Sequence, residues 1–362
     1  MKLQLHQSAI AVLLVMVLLL APVGNVSAQE MTATPTETLQ PTESTAATEV
    51  AAETVPPTEA PTEPDAPQMP ISEPDPSSAI YQICERLAEN MQARQLFVYH
   101  TGTGQMLYSK SVDTGKLYPA SITKLFSACV ALQYLDPETV VTAGDELDLV
   151  HEGSSLAYIS KGSSLRVKRL VAGMMLPSGN DAAIVLATAA GRVIAQDDTL
   201  APADAMNAFV DEMNRKAEEL GFEKTHFANP DGWHIGSHYT CLNDLARIAT
   251  LALQNDTIRQ YMRMEKDETS LFSGQYVIWE NTNLLVNREA GYYRSDAIGM
   301  KTGYTRPAGY CLMSAFTFED GDIIIGLFGY AKKYERFTDA IDLIKAVKNQ
   351  LRMEMISDEG VG

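Results

Sequence analysis

The apolar and polar positions after residue 78 follow patterns that predict regular secondary structure. Residues 79–93, AIYQICERLAENMQA, have their apolar positions at helical spacing. QLFVYH and QMLYSK follow as two short strand-like runs, and the TGTG between them predicts a β-hairpin. Ordered structure is therefore expected to begin near Ser78 with a helix and a hairpin.

The middle of the chain, as far as about residue 255, has mainly helical and loop-like patterns. Ser121 opens a predicted helix that ends near Pro137. Four further helices are predicted, with the sequences VKRLVAGMML, NDAAIVLATAAGRVIA, ADAMNAFVDEMNRKAEELG and LNDLARIATLAL. These helices are expected to form one lobe of the molecule.

Strand-like runs return late in the chain, in GYCLMSAFTF and DIIIGLFGYA. A final helix is predicted from about Tyr334 to Leu351. We expect the strands from the two ends of the chain to form one sheet, with the helical lobe beside it. This arrangement predicts an α+β fold.

Residues 1–28 are predicted to be an export signal peptide. Lys2 supplies a weak positive charge, and the apolar run from Ala9 to Ala21 is short for a membrane span, which needs about 20 residues. The small residues of VSA predict cleavage after Ala28. Cleavage is favoured over a retained membrane anchor, and both outcomes predict an extracytoplasmic protein.

Residues 29–78 have the composition of a disordered spacer. They contain ten Pro, ten Thr and ten acidic residues, with no Lys, Arg or aromatic residue. Such a segment cannot bury enough apolar surface to offset the entropy lost on ordering. We therefore expect an extended tether, stiffened by its prolines, rather than a folded domain.

Charge and cysteine content narrow the function classes. The 362 residues carry a formal net charge of −18, which argues against nucleic acid as a partner because phosphate binding needs clustered Lys and Arg. The four cysteines are Cys84, Cys129, Cys241 and Cys311. They show no CxxC spacing, so a zinc site is not expected, and we predict free thiols.

The first candidate for chemistry is the S-x-x-K of YPASITKLF. At i and i+3 of a helix, Ser121 and Lys124 share one face about one turn apart. Pro119 suits a helix start, which places Ser121 near the positive end of the helix dipole. A lysine with a lowered pKa can take a serine proton there. The motif alone is weak, because S-x-x-K also occurs in ordinary amphipathic helices.

Two further motifs are equally ambiguous when taken singly. In LPSGNDAA, Ser178 and Asn180 lie in a Gly-bearing turn before a helix and could either face a cleft or cap the helix. In GMKTGYT, Lys301 and Thr302 precede Gly303, which would let a substrate backbone approach closely. An ordinary exposed strand end is the alternative interpretation of this third motif.

Together, S-x-x-K, S-x-N and K-T-G occur in the order found in penicillin-binding proteins and serine β-lactamases. GSSLAYISKGSSLRVKRLVAGMMLPSGNDAA, HYTCLNDLARIA, NTNLL and GMKTGYTRPAGYCL extend the match. Over roughly residues 79–352 the chain resembles the low-molecular-mass D-alanyl-D-alanine carboxypeptidases, peptidase family S11. The resemblance implies a DD-peptidase and β-lactamase-like fold, in which an antiparallel sheet flanked by helices meets a helical lobe at the active site.

The resemblance implies the catalytic roles as well. Ser121 resembles the acylated nucleophile and Lys124 its general base. Ser178 would relay a proton to the leaving D-alanine. The backbone N–H groups of Ser121 and Tyr304 would form the oxyanion hole. No metal or organic cofactor is implied.

The resemblance also implies how substrate is bound. Asn180 would hold the substrate amide, while Lys301 and Thr302 would bind the terminal carboxylate beside Gly303. Peptidoglycan stem peptides are the implied substrates, and β-lactam antibiotics are implied to be covalent inhibitors. The activity implied is that of a secreted serine D,D-carboxypeptidase.

Three other residues raise lesser hypotheses. His234 and His238 are four residues apart, but DGWHIGSHYT lacks the Glu of the H-E-x-x-H metal motif. His238 falls where the family has a His-Tyr pair on a loop, and we interpret it as structural. Arg336 lies where the family has an arginine near the cleft.

Several alternatives remain open from the sequence. A serine β-lactamase is disfavoured because no E-x-x-L-N stretch follows Ser178 to activate a deacylating water. A D,D-endopeptidase that cuts cross-links has the same motifs as a carboxypeptidase. A non-catalytic wall-binding or antibiotic-sensing module is also conceivable, although all three motifs are intact.

The end of the chain departs from many family members, which continue into a β-rich domain and an amphipathic helix. Here the catalytic domain is predicted to end at Arg352, and residues 353–362 are predicted to be a tail. Membrane attachment would then depend on a retained N-terminal segment, and otherwise the enzyme is released.

Overall fold

A computed structural model describes residues 71–111 and 116–359. The predicted signal peptide and the predicted spacer as far as Pro70 lie outside these residues. Within the part that is described, no helix is both long enough and apolar enough to cross a membrane.

The strands are short except for three near the C-terminus. They are β1 Gln95–His100, β2 Gln105–Ser111, β3 Val140–Thr142, β4 Ser164–Arg166, β5 Lys266–Ser270, β6 Tyr276–Glu280, β7 Ala297–Thr305, β8 Gly309–Phe316 and β9 Ile323–Tyr330. The α-helices are α1 Ala79–Ala88, α2 Thr123–Tyr134, α3 Val167–Met175, α4 Asn180–Ala195, α5 Pro202–Glu219, α6 Leu242–Gln254, α7 Asp256–Arg263 and α8 Glu335–Glu359. Short 3-10 helices form at Ala120–Ile122 and Asp145–Leu149.

The strands from the two ends of the chain form one sheet, as the sequence pattern predicted. Five strands lie in the order β2-β1-β9-β8-β7, and every neighbouring pair is antiparallel. Two hairpin-like pairs, β3 with β4 and β5 with β6, lie outside this sheet. The α+β prediction is confirmed.

The sheet separates two apolar cores. Side chains alternate along β1, so Leu96 and Val98 join one core while Phe97 and Tyr99 join the other. Helices α1 and α8 cover the first core, and helices α2 to α7 contribute to the second. The four cysteines are free thiols, as predicted, and Cys84 and Cys311 are fully buried.

Helix α2 runs through the middle of the helical lobe. Most of its residues are buried, including Thr123 and Lys124 in its first turn. A helix that is apolar on most of its surface is stable only when neighbours surround it. The 3-10 turn with Ser121 precedes this helix directly, so the buried helix fixes the position of the serine.

Ordered structure begins earlier than the sequence predicted. The spacer was expected to reach residue 78, but Ile71 packs against the apolar core of the helical lobe. The Ser72 N–H donates to the carbonyl of Gly104, and the Ser72 carbonyl accepts from Met106. The boundary was wrong because one apolar residue with backbone pairing is enough to attach a proline-rich segment to a sheet edge.

The C-terminal boundary also differs. A tail was predicted from residue 353, yet α8 continues to Glu359. Residues 353–357 are largely exposed even at the apolar positions Met353, Met355 and Ile356, so no buried face marks this part of the helix. Local pairs support it instead: the Gln350 side chain donates to Glu354 at i+4, and Arg352 pairs with Glu319 at 2.9 Å.

Candidate active site

A cleft of about 1160 Å³ opens between the sheet and the helical lobe. Its lining includes six of the eight predicted site residues, namely Ser121, Ser178, Asn180, Thr302, Gly303 and Tyr304. The other two, Lys124 and Lys301, are fully buried behind this surface. The structure therefore brings the three sequence motifs together at one site.

Ser121 lies in a strained turn held from two sides. Ala120 has a φ of 49°, a left-handed conformation that a non-glycine residue adopts only when its surroundings require it. A Cβ on Gly232 would lie 1.9 Å from the Ala120 carbonyl oxygen, and one on Gly303 would lie 3.1 Å from the Ser121 nitrogen. Both glycines are therefore needed for the backbone to approach the Ser121 turn so closely.

Lys124 is placed to act on Ser121. Its Nζ lies 2.9 Å from Ser121 Oγ and donates to Asn180 Oδ1 and the Asp231 carbonyl, each at 2.7 Å. Burial lowers the pKa of Lys124 to about 8, although the charges of Asp231 and Asp181 oppose the shift. About one tenth of the Lys124 side chains are thus neutral at pH 7.

The S-x-N motif forms the entry to α4. Ser178 has a φ of 66° and is directed into the cleft lining, while no side chain caps the helix. Asn180 connects two sides of the site, since Oδ1 accepts from Lys124 and Nδ2 donates to Ser154 Oγ at 2.9 Å. The helix-capping alternative is therefore wrong for both residues.

The K-T-G motif lies inside β7, and it is not an exposed strand end. Lys301 is fully buried, and its Nζ donates to the Thr302 carbonyl at 3.0 Å. Burial holds the pKa of Lys301 well below its usual range, helped by the nearby charges of Lys124 and Arg336. The Thr302 hydroxyl reaches the cleft and donates to Thr282 Oγ1 at 2.7 Å.

Arg336 lines the same cleft, in agreement with the hypothesis from the sequence. Its guanidinium donates to the Gly303 carbonyl at 3.5 Å and lies over the Tyr310 ring at 5.3 Å. Burial lowers the pKa of Arg336 to about 10. Its guanidinium therefore places a positive charge beside the cleft, where it favours a bound anion.

The two candidate histidines have different surroundings. His238 is buried, its Nε2 lies 2.8 Å from Thr123 Oγ1, and its Nδ1 accepts from the Ala228 N–H. Burial lowers the pKa of His238 to about 3. His234 lines the cleft and packs edge-on against the Tyr118 ring at 4.7 Å. Both nitrogens of His238 are thus satisfied within the protein.

Some site residues were missed from the sequence. Ser154 was not predicted to belong to the site, yet it lines the cleft and its Oγ accepts a hydrogen bond from Asn180 Nδ2. Thr282 was also not singled out, although it supports Thr302. The Asp231 contact to Lys124 uses a backbone carbonyl, which no sequence pattern identifies. Only the NTNLL and GSSLAY segments could have indicated the first two.

Comparison with known proteins agrees with this geometry. Residues 83–330 match the model of the peptidase S11 family, described as D-alanyl-D-alanine carboxypeptidase. The chain belongs to this family. The resemblance to peptidase family S11 that the three motifs indicated is confirmed.

Two curated relatives of this S11 peptidase differ in how much of their length it spans. The D-alanyl-D-alanine carboxypeptidase of Streptomyces sp. (strain K15) is 33% identical over 239 residues, which are 64% of this chain and 78% of the relative. The D-alanyl-D-alanine carboxypeptidase DacF of Bacillus subtilis (strain 168) is 28% identical over 248 residues, 68% of this chain and 59% of DacF.

A solved structure supports the fold of this S11 peptidase directly. The crystal structure of the Streptomyces K15 DD-transpeptidase superimposes with a TM-score of 0.63 at 30% sequence identity. The match covers 71% of this chain and 97% of that one. The DD-peptidase fold predicted from the sequence is confirmed.

Proposed function

We propose that this S11 peptidase is a serine D,D-carboxypeptidase that removes the terminal D-alanine from peptidoglycan stem peptides through an acyl-enzyme on Ser121. The observation that carries the proposal is the distance of 2.9 Å between Lys124 Nζ and Ser121 Oγ. The lysine is buried with a pKa lowered to about 8, and the serine faces a cleft lined by the other two motifs. This is an activated nucleophile with a base in place.

The acylation step follows from this placement. Neutral Lys124 takes the proton of Ser121 as Oγ attacks the carbonyl carbon of the penultimate residue. The N–H groups of Ser121 and Tyr304 stabilise the oxyanion. As the amide C–N bond breaks, Lys124 returns this proton through the Ser178 hydroxyl to the leaving D-alanine nitrogen. Water then hydrolyses the ester and frees the serine.

Substrate binding uses the two walls of the cleft. Asn180 presents its amide to the substrate backbone from the helical lobe, while β7 supplies an edge on the other side. The Thr302 hydroxyl meets the terminal carboxylate, and the buried side chains of Lys301 and Arg336 lie behind it as further hydrogen-bond donors. The same pocket accepts the carboxylate of a β-lactam, which acylates Ser121 and blocks the enzyme.

A D,D-endopeptidase is the second candidate, and one observation favours it. The lining of the cleft also includes Ile278, Glu280, Asn281 and Thr282. Thr282 bonds Thr302, so these residues extend the leaving-group side of the proposed carboxylate pocket. A cross-linked peptide has more chain on that side than a single D-alanine, and this part of the cleft offers space for it.

The place of action follows from the substrate. Peptidoglycan lies outside the cytoplasm, so the enzyme acts there and has stem peptides as its partners. We propose that residues 1–28 direct export, and that residues from Gln29 onward act as a tether to the membrane face or as a spacer after cleavage. The catalytic domain then works at a distance from the export machinery.

The test combines a fluorescent penicillin gel with an assay of D-alanine release from a D-Ala-D-Ala peptide. The wild-type protein should be labelled once, at Ser121, and should release D-alanine. Ser121→Ala should lose both activities while it keeps its melting temperature. Labelling that survives this substitution, or an adduct mapped to another residue, would overturn the assignment. Conversion of a cross-linked peptide dimer to monomers, without release of D-alanine from the D-Ala-D-Ala peptide, would favour the endopeptidase.

A further inference from the structure

We propose that Thr123 and His238 position and polarise the Ala120–Ser121 peptide, whose N–H is one of the two proposed oxyanion donors. The inference rests on the proposed function, because it assigns these residues a role only if Ser121 is acylated. Neither residue reaches the cleft lining, so both are positioning residues.

A directed chain of hydrogen bonds leads to this peptide. The Ala228 N–H donates to Nδ1 of His238 at 3.1 Å, so Nδ1 is the acceptor and the ring proton lies on Nε2. Nε2 then donates to Thr123 Oγ1 at 2.8 Å. The Thr123 hydroxyl uses its own proton to donate to the Ala120 carbonyl, also at 2.8 Å. Every link donates toward Ala120.

These hydrogen bonds end at the Ala120 carbonyl, and through it they act on the Ser121 N–H. The Ala120 carbonyl and the Ser121 N–H belong to one planar trans peptide, so they point in opposite directions. A bond that fixes the carbonyl therefore also fixes the direction of the N–H. Donation to the carbonyl also makes the N–H a stronger donor, because linked hydrogen bonds polarise one another.

The local backbone needs such support. Ala120 is left-handed, and its carbonyl is crowded by Gly232, where an added Cβ would lie 1.9 Å from the oxygen. Without the Thr123 hydroxyl, the Ala120 carbonyl keeps the hydrogen bond from the backbone N–H of Thr123 but loses the one from the side chain, so this strained peptide is held less firmly. The hydrogen-bonded pair of His238 and Thr123 also stays uncharged, since burial lowers the pKa of His238 to about 3. It therefore adds no positive charge beside Lys124.

The experiment compares Thr123→Val, which removes the hydroxyl at constant shape, with Thr123→Ser, which keeps it. Thr250→Val is the matched control, because Thr250 is also buried and donates to a backbone carbonyl, that of Ala246, at 2.9 Å. The readouts are the acylation rate with fluorescent penicillin, kcat and KM for a D-Ala-D-Ala peptide, the inhibition constant of a peptide boronic acid, and Tm.

Removal of one oxyanion donor costs about 10²–10³ in rate, so weakening it should cost less. We expect Thr123→Val to lower the acylation rate and kcat by about 10-fold to 100-fold and to weaken the boronic acid in parallel, with KM within about threefold. Thr123→Ser should stay within about threefold of wild type. Thr250→Val should have a lower Tm than the wild type but the same acylation rate and kcat.

The outcomes separate the two proposals. A wild-type protein that is not acylated at Ser121 overturns the proposed function itself. If the wild type is acylated and Thr123→Val matches it, or if Thr123→Ser is as slow as Thr123→Val, only the positioning role fails. Should Thr123→Val not fold, His238→Phe decides: a fall of about 3-fold to 10-fold in kcat at constant KM supports the role, and wild-type kcat overturns it.

Discussion

Nζ of Lys124 lies 2.9 Å from Oγ of Ser121, and the lysine that makes this contact has no exposed surface. A helical spacing of three residues brings the two side chains together. Burial among backbone and amide acceptors then lowers the pKa of Lys124 to about 8. Ser121 Oγ therefore has, within hydrogen-bond distance, a lysine amine that is partly neutral at physiological pH.

The pH dependence of acylation follows from this pKa. A lysine is neutral above its pKa, so the reactive fraction rises with pH, is about one tenth at pH 7, and levels off above about pH 9. We expect the rate of penicillin acylation to follow this curve in stopped-flow measurements. Lys124→Arg should fold but acylate at least about 10³-fold more slowly at every pH, since guanidinium stays protonated.

Lys161→Arg is the matched control for that prediction. Lys161 is exposed and pairs with Asp145 and Asp148, away from the cleft lining. Its replacement should leave the acylation rate and its pH profile unchanged. Acylation by Lys124→Arg at a rate close to wild type would mean that another group serves as the base.

Gly303→Ala tests the close approach of β7 to the turn that contains Ser121. The new methyl group would lie 3.0 Å from the Ala120 Cβ and 3.1 Å from the Ser121 nitrogen. We expect a stability loss of about 1–3 kcal/mol and a fall in acylation of about 10-fold or more, because the turn must shift. Gly236→Ala, where a Cβ meets nothing within 4 Å, should change neither value. Equal behaviour of the two variants would contradict the packing argument.

The carboxylate pocket is tested with substrate and enzyme together. Amidation of the peptide C-terminus removes the charge that faces the Thr302 hydroxyl and the buried Lys301. Charge-assisted hydrogen bonds contribute about 1.5–3 kcal/mol, so we expect kcat/KM to fall by about 10-fold to 100-fold. Thr302→Val should reproduce part of this loss with the free acid and little with the amide. Equal cleavage of both peptides would contradict the assignment of the carboxylate pocket and would favour an endopeptidase over a carboxypeptidase.

Acid stability should depend on His238. Its pKa is lowered to about 3 in the folded protein, whereas an unfolded histidine has a pKa near 6.5. Between these values the unfolded chain binds one more proton, so folding stability falls as the pH falls, by up to about 1.4 kcal/mol per pH unit. Urea unfolding from pH 6 to pH 4 should show this extra slope in wild type and not in His238→Gln. Identical slopes would indicate that the buried histidine is already protonated.

The boundary at Ile71 predicts a small but measurable effect of truncation. A chain that begins at Ser77 lacks the Ile71 packing and the Ser72 pairing with the hairpin. We expect it to unfold with about 1–2 kcal/mol less free energy than a chain that begins at Ile71, with the same kcat/KM. A loss of activity in the shorter chain would show that this segment supports the cleft.

Elements with strong local patterns were predictable. Helix α4 spans Asn180–Ala195, as its sequence indicated, and the hairpin of β1 and β2 has its turn at TGTG. Strand β7 was not recognised, because the motif within it contains Lys, Thr and Gly and has no alternation of apolar and polar residues. It is a strand because β8 pairs with it along its length, which is a long-range effect.

The sequence by itself determined the family, through the order of its three motifs, and it predicted that Ser121 and Lys124 lie close together, because helix geometry places residues three apart on one face. It could not determine that Lys124 is buried, since the acceptors Asn180 and Asp231 lie 56 and 107 residues away in the chain. Nor could it show that Lys301 is hidden behind the cleft wall. Desolvation and pKa depend on which distant groups surround a side chain, so only the tertiary structure decided them.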